Sequence, residues 1–459
     1  MPKGVVYMSK HNTTPLGVAF VNQNRCYYYD TNKNNIIQVN PQLFAEIKDK
    51  LSDYPDQSVS TEPSIGYQQL MSKGYFQGSH ITNIELLDKE SIKTQCANNI
   101  MQLILQVTQE CNFLCRYCIF AGDGSFARTH SPKSMSFEVA KSAIDYLYDH
   151  SVDNKEILVT FYGGEPLLNF KLVKQSIEYC EKLFKIKRCI YSITTNGTLL
   201  TSKVIDFLYA HKVMISISLD GPKDIQNASR RFAHNGTGTF DTVYKNVKYL
   251  ANHYPEYFKD CVKFQPVINP SSNIPEIFAF FKTEFDTDPE SISVSYINTS
   301  GLNIVFDKRV DNGVALPDEY TDLSQNQFYD YFCKRYNDKR EIPNVFHHSG
   351  PCIPGAKKLF VNTDGEFFPC EKVSEKPSNS IGNITSGLDY ERIYNIVNIG
   401  NVTAEECSSC WCIRFCRMCI SDIDGENENQ IKTRKELICK YQKKRALLAM
   451  KQRIDTQID

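Results

Sequence analysis

The residue types best able to do chemistry here are cysteines, of which the chain has 17. Five of them (Cys26, Cys96, Cys180, Cys189 and Cys261) stand alone, as core thiols do. Eight others crowd into Cys111–Cys118 and Cys407–Cys419. Disulfides are rare in reducing compartments, and the N-terminal MPKGVVYMSKHNTTP lacks a secretory apolar stretch, so clustered thiols point to metal. Cys111, Cys115 and Cys118 form a C-x3-C-x2-C loop. Three thiolates on one compact loop suit a cubane iron–sulfur cluster whose fourth iron has no protein ligand. Zinc would want a fourth ligand nearby, and only the distant His130 offers one. Further on come Cys352, Cys370, Cys407, Cys410, Cys416, Cys419 and Cys439, a series whose two C-x2-C knuckles a zinc ribbon could also use.

Between the two regions lie Gly163-Gly164-Glu165-Pro166, Thr194-Thr195-Asn196-Gly197 and Ser218-Leu219-Asp220-Gly221-Pro222. Singly, each reads as an ordinary turn after a strand. Paired glycines also let backbone approach a ligand closely.

The elements that must position these residues alternate regularly. Apolar runs predict strands at Leu103–Thr108, Ile157–Tyr162, Ile190–Thr195, Val213–Leu219, Val262–Ile268 and Ile292–Ile297. Helical patterns fall between them at Phe137–His150, Phe170–Phe184, Ser202–His211, Phe240–His253 and Ile274–Glu284, with Ser136 as an N-cap. Repeated βα units predict a parallel sheet curved into part of a barrel, with active residues at the C-terminal strand ends. Ahead of it, short strands at Val5–Met8, Val18–Asn22, Cys26–Tyr29 and Ile36–Val39, then a helix bearing Phe44, Ile47 and Leu51, suggest a small winged-helix-like module over 1–95. After about 330 the regularity is lost until Lys432–Arg453, a basic helix whose charges read as a solvated face.

The C-x3-C-x2-C loop with the three downstream motifs in register resembles the radical S-adenosylmethionine (SAM) superfamily. That resemblance implies that Cys111, Cys115 and Cys118 hold a [4Fe-4S] cluster whose open iron takes the amino and carboxylate groups of SAM. It places Gly163, Gly164 and Glu165 at the methionine part of SAM and Ser218 at the ribose. Asn196 joins them, Arg230 meets the carboxylate, and Tyr117 lies near the adenine. The second cysteine series is similar to the SPASM extension of radical SAM maturases, with seven positions matching in order. By position, Cys407, Cys410, Cys416 and Cys439 would bind an outer auxiliary cluster, and Cys352, Cys370 and Cys419 an inner one, giving three [4Fe-4S] clusters. The stretch Asn344-Val345-Phe346-His347-His348 lacks a further cysteine that fully ligated members carry. Either Cys333 or Cys412 substitutes, or an inner iron stays open to a substrate thiolate.

The segment from Cys118 through Ser131, with Phe368-Pro369-Cys370-Glu371-Lys372-Val373, resembles maturases of cysteine-rich peptides, the sactipeptide and ranthipeptide thioether-forming enzymes. The implied fold is α/β: a partial (β/α)6 radical SAM barrel over 101–330, an N-terminal winged-helix-like peptide-recognition domain, and a loop-rich C-terminal SPASM iron–sulfur domain over 331–459. The implied activity joins a cysteine sulfur to carbon in a ribosomal precursor peptide bound through its leader, with a flavodoxin- or ferredoxin-type reductant. Anaerobic sulfatase maturases are the nearest alternative. There an aspartate base follows the cysteine matching Cys370, whereas here the candidate catalytic carboxylate is the longer Glu371. Other peptide crosslinking is a further alternative. With 52 basic and 53 acidic residues, a net charge of -1 argues against nucleic acid or an anionic membrane as the main partner. No long apolar run occurs, so no membrane span is expected, and the expected location is cytoplasmic.

Overall fold

A computed structural model describes residues 14–52, 62–118, 120, 130–268, 273–296, 321–348, 352–424 and 428–456. The expected strand Val5–Met8, most of a polar loop over 55–64, and most of the maturase-like segment over 119–129 lie outside the described residues. The described residues fall into two compact units. One draws on Met1–Asp88, Tyr320–Pro351 and Asn395–Asp459, the other on Lys89–Glu319 and Cys352–Tyr394.

The first unit opens with an antiparallel meander of β1 (Gly17–Asn22), β2 (Arg25–Asp30) and β3 (Asn35–Val39), in the order β1-β2-β3. Gln23 and Asn24 both take positive φ, 46° and 59°, as the tight β1–β2 turn requires. Three short strands cannot bury a core alone. Phe20, Tyr27 and Tyr29 therefore pack with Phe328 and Phe332 of helix Thr321–Tyr336, with Phe415, and with Ala446, Ala449 and Met450 of the C-terminal helix Glu428–Asp455. Asn34 locks this joint: Tyr29 Oη donates to its Oδ1 at 2.8 Å, and its Nδ2 donates to the carbonyls of Arg335 and Asp338 at 2.8 Å. The basic C-terminal helix is present, but it is not simply a solvated element. Ile438, Ala446, Ala449, Met450 and Ile454 bury a stripe along it, and Lys435 is only 1% exposed.

The second unit holds the expected βα alternation. Strands β4 (Gln102–Thr108), β5 (Glu156–Gly163), β6 (Arg188–Thr195), β7 (Met214–Ile217) and β8 (Val262–Phe264) run parallel in that order. Six of the seven residues of β4 are buried, as in a parallel strand covered on both faces. Helices Phe137–Asp149, Phe170–Leu183, Ser202–Ala210, Phe240–His253 and Ile274–Phe285 occur where expected, and Ser136 caps the first through Val139 N–H. The expected strand Val262–Ile268 is interrupted after Phe264, because Pro266 has no N–H for a ladder. Its remainder, β9 (Val267–Ile268), pairs in parallel with β10 (Ser295–Tyr296) as a separate small sheet.

The sheet then gains strands from the region that looked irregular. β11 (Lys358–Val361) joins the free edge of β4 in parallel, and β12 (Glu366–Phe368), β13 (Gly382–Asn383) and β14 (Gly387–Leu388) follow antiparallel. Among the described residues the sheet thus has nine strands, and they form no closed barrel. Among the described residues no helix is long and apolar enough to cross a membrane.

Candidate functional site

Because β4 to β7 are parallel, the cysteine loop and all three motifs emerge at one edge of the sheet. Together they line a cavity of ≈ 470 Å³, a small-molecule size. Cys111, Cys115 and Cys118 line it, with Tyr117, Gly163, Gly164, Asn196, Ser218 and Arg230. Glu371 and Lys372 line the same cavity, brought there by the β11–β12 hairpin. Glu165 does not line it.

The glycine pair has a structural reason beyond any ligand. Gly163 sits at φ 152°, and a Cβ there would lie 2.1 Å from the Thr108 carbonyl oxygen. A Cβ on Gly164 would lie 2.1 Å from the Glu110 carbonyl oxygen. The β5 turn is thereby laced to the start of the cysteine loop, with Gly164 N–H donating to Thr108 O at 2.9 Å and Glu165 N–H to Glu110 O at 2.8 Å. Glu165 braces the next motif: its carboxylate accepts from Thr195 Oγ1 and Asn196 N at 2.7 Å each and from Leu167 N at 3.1 Å. Burial outweighs these three donors and pushes its pKa up to about 7. Asn196 Nδ2 in turn donates to Asn112 Oδ1 at 2.7 Å, tying the Thr194–Gly197 motif back to the cysteine loop. Ser218 N–H donates to Thr195 O at 2.8 Å.

Asp220, inside the Ser218–Pro222 motif but given no role from sequence, organises the far wall. It is 1% exposed and accepts from Tyr117 Oη at 2.5 Å, from Arg230 Nε and Nη2 at 3.0 Å each, and from Val267 N at 2.9 Å. Arg230 also stacks over the Tyr117 ring, 5.3 Å from its centroid. The signal that could have found Asp220 is its place in a motif that ends a parallel strand.

Burial pushes the Cys111 and Cys115 thiols up to about 12, and each cysteine of the loop acts on the others; the Arg230 guanidinium pulls the other way. His130, distant in sequence, arrives with Nε2 3.6 Å from Cys118 Sγ. Among the described residues no three His, Cys, Asp or Glu side chains converge as on a single ion. A cubane holds its thiolates farther apart than one ion does. Three cysteines of one short loop lining one cavity suit a cubane with an iron left open.

The second cysteine series divides between the units. Cys352, exposed, and Cys370 belong with the nine-stranded sheet, and the Cys352 thiol feels both Lys358 and Glu371. Glu371 Oε2 is buried without a hydrogen-bond partner and lies 3.6 Å from Lys358 Nζ. Cys407, Cys410, Cys416, Cys419 and Cys439 belong to the first unit. There burial raises the thiols of Cys410, Cys416 and Cys439, and Cys407 is near enough to add to the effect on each of them. Cys419 Sγ lies 2.9 Å from Ser421 Oγ. Cys412 is a core thiol, 1% exposed and donating to Gln442 O at 3.6 Å. Cys333 receives Arg453 Nη1 at 3.7 Å and packs against the aromatic core of the first unit.

Comparison with known proteins agrees with this geometry. Residues 105–278 match the Radical SAM superfamily. An uncharacterized protein, MJ0907 of Methanocaldococcus jannaschii, is 36% identical over 146 residues, 32% of this chain and 47% of that protein, so the match spans about half its length. A cysteine-type anaerobic sulfatase-maturating enzyme of Clostridium perfringens is 24% identical over 340 residues, 69% of this chain and 87% of that enzyme. The solved structure of native anSMEcpe with bound AdoMet and Cp18Cys peptide superposes with a TM-score of 0.52 at 21% identity, covering 76% of this chain and 98% of that one. The parallel sheet, the C-x3-C-x2-C loop at its edge and the family match over 105–278 together establish that the chain carries a radical SAM domain.

Proposed function

We propose that the chain is a peptide maturase that joins a cysteine sulfur to a carbon of a precursor peptide. Cys111, Cys115 and Cys118 would hold a [4Fe-4S] cluster beside a cavity sized for SAM, and the bound pair supplies a radical able to abstract hydrogen. The chain's own residues do the rest. Gly163 and Gly164 leave backbone rather than side chain at the cavity wall, and the Tyr117–Asp220–Arg230 set gives the opposite motif a rigid shape. Glu371, whose buried Oε2 lies 3.6 Å from Lys358 Nζ, is the proposed acceptor of the proton of a substrate thiol. Sulfur–carbon bonding then releases one electron. The proposed acceptors are two auxiliary clusters, one expected on Cys407, Cys410, Cys416 and Cys439 and one on Cys352, Cys370 and Cys419, which with the cluster of the cysteine loop would make three.

The observation that carries the peptide-maturase reading is the N-terminal meander. Among the described residues neither edge strand, β1 nor β3, pairs with a further strand. An open edge can take a leader peptide as an added strand, with backbone pairing for affinity and side-chain pockets for specificity. The match to 87% of a sulfatase-maturating enzyme supports a second reading, formylglycine formation. Co-expression with a cysteine-containing precursor peptide, followed by tandem mass spectrometry, separates the two. A thioether shows as loss of a hydrogen pair and a cysteine that resists alkylation, whereas formylglycine gives an aldehyde trapped by hydroxylamine. Aldehyde alone would overturn the thioether reading. Anaerobic reconstitution should load about twelve irons per chain, as three four-iron cubanes. Replacing Cys111, Cys115 and Cys118 by Ala should remove about a third of that iron and all SAM cleavage, and cleavage retained in the triple variant would end the radical SAM assignment of those cysteines.

A further inference from the structure

Lys435 is the anomaly of the first unit. Lysine is almost never fully buried unless it is paired, yet Lys435 is 1% exposed, and among the described residues its one hydrogen bond goes to the Gly400 carbonyl at 3.2 Å. Among the described residues no carboxylate pairs with it. The surroundings do not welcome charge either. Gly400 N–H donates to His347 Nε2 at 2.9 Å, burial pushes the His347 imidazole down to about 4, and burial holds His348 beside it well below its ordinary value. An ammonium left without an anion at such a depth costs several kcal/mol. Lys435 is thus a buried lysine with no carboxylate partner among the described residues.

The helix register points to the cysteines instead. Lys435, Cys439 and Lys443 are spaced four residues apart on Glu428–Asp455 and so share a face. Beside that face, Ile431 and Ile438 of the same helix pack with Cys416, Ile399, Met418 and Ile423 in a small apolar core. Both lysines act on the Cys410 and Cys439 thiols. Lys443 is exposed and screened by water, whereas Lys435 is not.

We infer that Lys435 is the built-in counter-cation of the cluster on Cys407, Cys410, Cys416 and Cys439, raising its reduction potential so that it accepts an electron readily. Four thiolates give that cluster a net negative charge, which reduction increases; a fixed, desolvated cation opposes both. The inference rests on the auxiliary-cluster reading above.

The experiment is a redox titration of the anaerobically reconstituted full chain, followed by electron paramagnetic resonance, with Cys111, Cys115 and Cys118 replaced by Ala so that only auxiliary signals remain. In Lys435→Met one of the two auxiliary reduction waves should move to more negative potential while the other stays. Iron retention against a chelator should weaken by about 10–100-fold, as for other groups that support metal ligands. Lys435→Arg, which keeps the charge, should leave the potential near its starting value, and Lys443→Gln should shift it less than Lys435→Met. Unmoved waves in a fully iron-loaded Lys435→Met protein would overturn the inference, as would an Arg variant that shifts as far as Met. Cys439→Ala tests the underlying reading separately: undiminished iron there would remove the cluster itself, whatever Lys435 does.

Discussion

The pair most worth breaking in the radical SAM domain is Asp220–Arg230. An exposed ion pair contributes about 0–1 kcal/mol, but this one is buried, with Asp220 1% and Arg230 6% exposed. Each Asp220 oxygen also takes two donors: Oδ2 takes Tyr117 Oη and Arg230 Nε, Oδ1 takes Val267 N and Arg230 Nη2. In Asp220→Asn either orientation of the amide sets an NH2 against two donors and leaves the Arg230 guanidinium buried without its anion. Breaking one side of a buried pair costs about 3–5 kcal/mol, and the expected loss for Asp220→Asn is in that range. Arg230→Met should cost a similar amount, because it strands the carboxylate. The double variant removes both charges and should fall short of the summed losses by about 2–3 kcal/mol. Two units make a single unfolding transition unsafe, so the assay is native-state hydrogen exchange read by mass spectrometry on peptides spanning 214–230. Single losses below about 1 kcal/mol, or losses that add within about 0.5 kcal/mol, would refute the claim that this pair is a desolvated, coupled unit.

The other predictions are as follows. His347 is kept neutral in the fold, its pKa lowered from 6.5 to about 4, so the native state binds fewer protons than the unfolded chain in that window. Stability therefore holds above pH 6.5 and is lost as pH falls toward 4, by up to about 3 kcal/mol. His347→Leu should be less stable than the parent at pH 7.5, having lost the Gly400 N–H acceptor, yet show a shallower decline in urea midpoint to pH 5; an unchanged slope would exclude His347 as the titrating group. Gly164→Ala drives a Cβ to within 2.1 Å of the Glu110 carbonyl, and should cost about 3 kcal/mol or more and abolish SAM retention in equilibrium dialysis. Gly236→Ala, with nothing within 4 Å of its Cβ, should cost only the left-handed conformation, about 1–2 kcal/mol, and leave SAM binding intact. Equal effects at the two glycines would show that Gly164 is not held by close backbone approach.

Much of the radical SAM domain was decided locally. Apolar runs of strand length alternating with helical periods specify parallel βα units, and right-handed crossovers leave them little topological choice. The cysteine loop and three motifs then fall at strand ends as a consequence of the alternation, and Cys111, Cys115, Cys118, Gly163, Gly164, Asn196, Ser218 and Arg230, which the radical SAM resemblance groups as one site, line one cavity. The rest depended on partners distant in sequence. β11 to β14 are two to four residues long and carry too little periodicity to register; they exist because the free edge of β4 accepts them. That edge is what brings Glu371 to the cavity. The Asp220 carboxylate looks like any turn acid until Tyr117, Arg230 and Val267 converge on it from three other segments. Lys435 sits in a basic run that composition alone marks as solvated. It is buried because a helix has one face against the cysteine-bearing loops, and whether a charged residue lies on that face depends on packing, which no local pattern records.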